Sequence, residues 1–286
     1  MEEELLEVAT PAGKVFLRRI ESADRTNRPE TDDTFIVYIS GWGESPALSR
    51  QFASRLSEMA EMPVWYPDYH QLDGNTEPDF LSPRLQKLAD SFAIPPTETH
   101  RADGFVPLIE KATSIVFVAH SEGAIAAALL SLAYGEKTQS PVILIAPAGL
   151  DVEGFGVLVG RFVRQFLKGL TGRTNSSHTE GTRATNSYHL EVLRYLIMNP
   201  IQLVRDAWAL AKIDLRPLLK EITKMQKQVL CILYKHDQLF SSFRVMRGLR
   251  EIFPGISIQI IQGVHAQPHI DPTDTLRVIQ RALKKQ

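Results

Sequence analysis

The run Ile115-Val116-Phe117-Val118-Ala119-His120-Ser121-Glu122-Gly123-Ala124-Ile125-Ala126-Ala127-Ala128 decides how this chain folds. Its first five residues are apolar without interruption, the pattern of a strand covered on both faces. From Gly123 onward, small residues favour a helix that packs closely against its neighbours. Only His120, Ser121 and Glu122 remain to turn the chain. So sharp a turn forces its central residue into a strained backbone conformation and pushes the Ser121 hydroxyl out above the sheet. A large side chain at either flank would strike the turn, and Ala119 and Gly123 avoid that. Ser121 therefore reads as a nucleophile rather than as an incidental helix cap.

The same alternation extends on both sides of this turn. Apolar, β-rich runs recur at Phe35–Ile39, Val142–Ile145, Val229–Tyr234 and Ile256–Ile261. Between them Ala47–Ala60, Arg101–Lys111, Ala124–Tyr134, Ser242–Phe253 and Thr273–Lys284 carry apolar residues at helical spacing. Strand and helix in alternation imply an α/β fold, a mostly parallel sheet with helices on both faces. Leu5–Thr10 and Lys14–Ile20 predict an antiparallel hairpin at the sheet edge, joined to the next strand by the polar segment Glu21–Asp33.

The rhythm stops after Ala146-Pro147-Ala148-Gly149. Residues 1–150 and 224–286 form the core in this reading, and residues 151–223 form a helical insertion. Its first helix carries Phe155, Leu158, Val159, Phe162, Val163, Phe166, Leu167 and Leu170 as an expected single stripe. A polar loop is expected at Thr171–Ser187, and further helices over Tyr188–Met198, Ile201–Lys212 and Leu215–Lys224, with Pro217 suited to a first turn. The stripe could pack within the molecule, roof an apolar pocket, or bring Arg161, Arg164 and Lys168 to an anionic lipid surface.

Composition narrows the partners. With 286 residues, 44% of them hydrophobic and 23% charged, the chain can bury a large core. A net charge of −1 gives no global field for nucleic acid. No run reaches the roughly 18 apolar residues of a spanning helix, and Met1-Glu2-Glu3-Glu4 lacks the basic start of a secretory signal. The expectation is a cytoplasmic protein without stable membrane insertion. Cys231, the only cysteine, lies in an apolar strand and reads as structural. No pair of histidines has metal-ligand spacing with supporting cysteines or carboxylates, so no metal is expected.

From about Phe35 to the C-terminus the chain resembles the α/β-hydrolase superfamily, with Ala119 at the position of the first glycine in its G-x-S-x-G motif. The resemblance implies an eight-stranded, mostly parallel sheet, a lid at residues 151–223 after the sixth strand, and a triad in the order serine, acid, histidine. Ser40-Gly41-Trp42-Gly43-Glu44-Ser45 is similar to the family's oxyanion loop, which implies oxyanion donors at the backbone N–H groups of Trp42 and Glu122. Lys235-His236-Asp237-Gln238-Leu239-Phe240 resembles the acid loop and points to Asp237, with Asp151 as the competing position. Gln262-Gly263-Val264-His265-Ala266 places His265 as the base, with His269 as its competitor. The implied activity is cleavage of a small-molecule carboxylic ester, thioester or amide with an apolar acyl group, through an acyl-enzyme and without a cofactor. An acyltransferase, a carbon–carbon bond hydrolase and a non-catalytic binding module on the same fold remain open alternatives.

Overall fold

The five apolar runs become parallel strands of an eight-stranded sheet, but Ile256–Ile261, expected to be covered on both faces like the others, is an edge strand and is largely exposed. The computed structural model describes residues 2–10, 13–21, 34–41, 44–68, 82–151, 154–170, 188–194, 197, 204, 207–252 and 256–284. The strands are β1 (Glu2–Thr10), β2 (Gly13–Glu21), β3 (Thr34–Ile39), β4 (Val64–Asp68), β5 (Ser114–His120), β6 (Val142–Ile145), β7 (Val229–Tyr234) and β8 (Ile256–Ile261). They lie in the order β1-β2-β4-β3-β5-β6-β7-β8. The β1–β2 hairpin and the β2–β4 pair are antiparallel, and every pair from β4 to β8 is parallel. The predicted edge hairpin is present, while 22–33 of the polar segment fall outside the described residues.

Alternation along each central strand divides the core into two layers. Val37, Ile39, Phe117, Ala119, Leu144 and Cys231 belong to one buried cluster, and their neighbours Ile36, Tyr38, Val116, Val118, Ile145 and Ile232 to the other. Helix α1 (Pro46–Ala60) and the C-terminal helix Thr273–Leu283 cover the second layer through Phe52, Leu56, Leu276 and Ile279. The first layer takes α2 (Pro83–Phe92), α4 (Val106–Lys111) and α5 (Gly123–Ala133), with α3 (Pro96–Asp103) beside them.

Three further local readings are corrected. Strand β4 was not anticipated, because Pro67 argues against a central strand. It is tolerated since β3 pairs with β4 only at Val64 and Trp65, while Pro67 lies opposite Leu17 of β2. The helix expected over Arg101–Lys111 is two helices, α3 and α4, broken at Gly104 and Phe105. Pro107 lacks the N–H a continuous helix needs, and a Cβ on Gly104 would lie 3.0 Å from the Val15 side chain.

The third correction concerns the segment between β6 and β7. It holds α6 (Phe155–Leu170), helical turns at 188–194 and 207–210, and α7 (Arg216–Lys224). Leu158 is buried and Phe162 packs against the core, yet Phe155 and Val163 are exposed. At about 100° per residue, Val163 sits roughly 140° around the helix from Leu158, so the expected stripe is too wide for one buried face. The side chains of Phe166, Leu167, Lys168 and Leu170, and the loop at 171–187, lie outside the described residues. Among the described residues no helix is long and apolar enough to cross a membrane.

Candidate active site

Parallel strands all point their C-terminal ends to one edge of the sheet, and the loops that follow β3, β5, β7 and β8 gather there. Ser121 terminates β5 with φ +53°, the left-handed conformation expected for the centre of a strand-to-helix elbow. Its N–H donates to Ile145 O at 2.9 Å, and its carbonyl accepts from Ala148 N at 3.0 Å. The turn is thus fixed by β6 and the residues behind it. Gly123 must be glycine, because a Cβ there would lie 2.3 Å from Ile39 O and 2.7 Å from Ser40 O.

His265, in the loop after β8, places Nε2 3.0 Å from Ser121 Oγ and Nδ1 2.8 Å from Asp237 Oδ2. The other Asp237 oxygen accepts the N–H groups of Leu239 at 2.8 Å and Phe240 at 3.0 Å, so the carboxylate cannot rotate away. With Nδ1–H donated to Asp237, the Nε2 lone pair faces the serine hydroxyl. The Phe240 ring stands edge-on to His265 at 5.3 Å and keeps water from that side. Ser121, His265 and Asp237 are therefore in hydrogen-bonded series and nearly closed to solvent, an arrangement with the chemistry for acyl transfer.

The competing residues are elsewhere. Asp151 Oδ2 accepts from Ser241 N at 3.1 Å and from Arg161 at 3.4 Å, with Arg244 at 3.5 Å. His269 is buried, stacked on Tyr188 at 5.9 Å, with Nε2 3.2 Å from Glu44 Oε2. Of the two expected oxyanion donors, Glu122 follows Ser121 directly and begins α5, and its buried carboxylate pairs with Arg101 at 2.7 Å. Trp42 lies outside the described residues.

Sequence reasoning missed Glu44. Its carboxylate accepts from Gly41 N at 2.8 Å and Tyr38 Oη at 2.9 Å, contacts His269 Nε2 at 3.2 Å, and makes a short contact with His120 Nδ1. Burial alone would raise the Glu44 carboxyl, but the His269 and His120 rings outweigh it and hold the group well below the usual carboxylate range. Burial and the Glu44 charge push the Tyr38 phenol well above its ordinary value. The sequence has no spacing of metal-ligand type, and the fold nevertheless brings Glu44, His120 and His269 together with ligand-type atoms all within 4.8 Å of one another. They come from the loop after β3, the end of β5 and the short helix Gln267–Ile270, so no sequence spacing announces them; an acid beside two glycines after a buried strand was the one available signal. Cys231 is buried as expected, its thiol pushed up to about 12 by burial.

No family model matches the chain and no curated protein does. Solved structures do. A thermophilic esterase from Thermogutta terrifontis superposes with a TM-score of 0.64 at 14% identity, over 99% of this chain and 98% of its own. Carboxylesterase CesB from Bacillus subtilis gives 0.61 at 14%, over 100% and 93%. The thioesterase domain from the curacin biosynthetic pathway gives 0.59 at 13%, over 100% of both chains. At these identities the likeness establishes the fold: the chain has the α/β-hydrolase fold.

Proposed function

We propose that this protein is a serine hydrolase that cleaves carboxylic esters, with Ser121 as nucleophile, His265 as general base and acid, and Asp237 as the group that orients His265. The observation that carries this reading is the unbroken series Asp237–His265–Ser121 at 2.8 and 3.0 Å, set on a backbone elbow at φ +53°. An incidental serine needs neither the strain nor the base.

Ser121 Oγ attacks the acyl carbon as its proton passes to His265 Nε2, and Asp237 stabilises the imidazolium that forms. The backbone N–H groups of Glu122 and Trp42 receive the negative charge of the tetrahedral intermediate. Collapse breaks the bond to the alcohol oxygen, which leaves with the proton from His265. Water, deprotonated by the same ring, then attacks the acyl-enzyme and releases the carboxylic acid. Thioesters and amides fit the same steps with a different leaving atom, in keeping with a thioesterase domain among the similar structures.

Residues 151–223 act in this account as a lid. Leu158 and Phe162 of α6 anchor it to the body, and Phe240 against His265 favours an apolar acyl group. Assay of p-nitrophenyl esters of increasing chain length with wild type, Ser121→Ala, His265→Ala and Asp237→Asn tests the reading. Turnover by wild type and its loss in the three variants is expected. Full activity in Ser121→Ala would refute it.

A further inference from the structure

We infer that Glu44 is a positioning residue that locks the oxyanion loop to the catalytic histidine through His120, an inference that rests on the serine-hydrolase reading. The Glu44 carboxylate is almost wholly buried, its side chain 3% exposed, and burying a charge is costly unless every lone pair is used. Here they are used. One oxygen accepts the Gly41 N–H and faces His120 Nδ1, and the other accepts the Tyr38 hydroxyl and faces His269 Nε2. Gly41 immediately precedes Trp42, the proposed oxyanion donor, so Glu44 holds the backbone next to that donor.

The second half of the linkage runs through His120. Its Nε2 lies 3.1 Å from the backbone carbonyl of His265, and its ring centroid is 5.0 Å from that of His265. With Nε2–H donated to the carbonyl, the His120 ring bridges Glu44 to the backbone of His265. His269 ties in the far end of the same loop and is held by Tyr188 stacked on one side and Phe52 edge-on at 6.4 Å. One carboxylate thus joins the loop after β3, the nucleophile elbow and the loop after β8. Neither His120 nor Glu44 touches Ser121 Oγ or Asp237, so their action is through placement.

A His/His/Glu donor set also has the chemistry of a zinc site. The carboxylate is already filled by four protein groups, however, and His120 Nε2 is directed at the His265 carbonyl. The cluster fits an internal strut better than an ion.

Steady-state kinetics on a p-nitrophenyl ester, with thermal denaturation alongside, tests this on the full chain. Glu44→Gln keeps shape and size but removes the charge and cannot accept from every donor. Because misplacing reacting groups by about 1 Å can cost on the order of 100-fold, kcat should fall by roughly 10- to 100-fold while KM changes less than about threefold. Tyr38→Phe, which removes one hydrogen bond to Glu44, should retain its fold and show a smaller loss in kcat with KM again unchanged. A Glu44→Gln protein that keeps wild-type kcat overturns the inference. So does a rise in KM without loss of kcat, or a kcat restored by added zinc and lost to a chelator in wild type. If Glu44→Gln fails to fold, Tyr38→Phe decides, and wild-type kcat in that variant overturns the proposal. A wild type with no turnover of any ester overturns the hydrolase reading itself, which separates the two failures.

Discussion

Gly41 and Ser121 approach so closely that a Cβ on Gly41 would lie 2.7 Å from the Ser121 Cβ and 3.0 Å from His120 O. The backbone of Gly41 after β3 is therefore packed directly against Ser121 at the elbow after β5, with no room for a methyl group. Gly41→Ala should displace the serine, the loop or both. Overpacking of this kind costs about 1–3 kcal/mol, enough to lower Tm by several degrees without unfolding the protein. Turnover should suffer more than stability, and comparing kcat/KM with Tm for this variant checks it. Wild-type kcat/KM in Gly41→Ala would contradict the packing described.

Asp237 and Asp151 separate cleanly by mutation. Asp237→Asn should leave the fold intact and lower kcat by about 10⁴-fold, because the amide favours the wrong imidazole tautomer. Asp151→Asn should keep most of kcat and lose some Tm, since that carboxylate holds Ser241 N and the Arg161 side chain rather than a catalytic ring. Measuring kcat and Tm for the pair checks both, and the reverse pattern would transfer the catalytic role to Asp151.

The position of Phe162 predicts a split between stability and specificity. Its ring packs on the core but is only partly buried, so Phe162→Ala should cost less than the roughly 3–5 kcal/mol of a fully buried phenylalanine. The chain-length profile for p-nitrophenyl esters should keep its shape. A flattened profile at unchanged Tm would show instead that Phe162 lines the acyl pocket.

Glu44 gives the stability curve a predictable slope. Its folded-state carboxyl is held low, so the charged form contributes stability above its unfolded value of about 4.3. That contribution is lost as pH falls through the lower folded value. Urea denaturation of wild type and Glu44→Gln should therefore show a stability gap that is constant near neutrality and narrows as pH drops below about 4.3. A gap independent of pH would mean that the cluster around Glu44 is not held together by its charge.

How much of this was legible in the sequence follows from what each feature depends on. The strands Phe35–Ile39, Ile115–Ala119 and Val229–Tyr234 could be read directly, because strands buried on both faces are apolar throughout. Ser121 could be read because a strand, three residues and a small-residue helix admit one turn geometry. Asp237 and His265 came through family resemblance, and the distances now join them. Strand β4 was hidden because Pro67 breaks a local rule whose penalty depends on which partner strand lies opposite. The break at Gly104 and Phe105 was masked because the apolar residues keep helical spacing across it, although Pro107 marks it locally. Glu44 was invisible because its partners His120 and His269 lie at the end of β5 and in the short helix Gln267–Ile270, far away in sequence, and reach it only in the folded chain.

The central claim is that Ser121 is the activated nucleophile. The most direct measurement is labelling of the full chain by a fluorophosphonate, followed by mass spectrometry of the modified peptide. The probe loses fluoride as Ser121 Oγ bonds to phosphorus, so wild type should carry one adduct, on Ser121, and Ser121→Ala should carry none. Labelling should also slow sharply in His265→Ala, which lacks the base 3.0 Å from the hydroxyl. An adduct at another residue, or equal labelling of wild type and Ser121→Ala, would contradict the account.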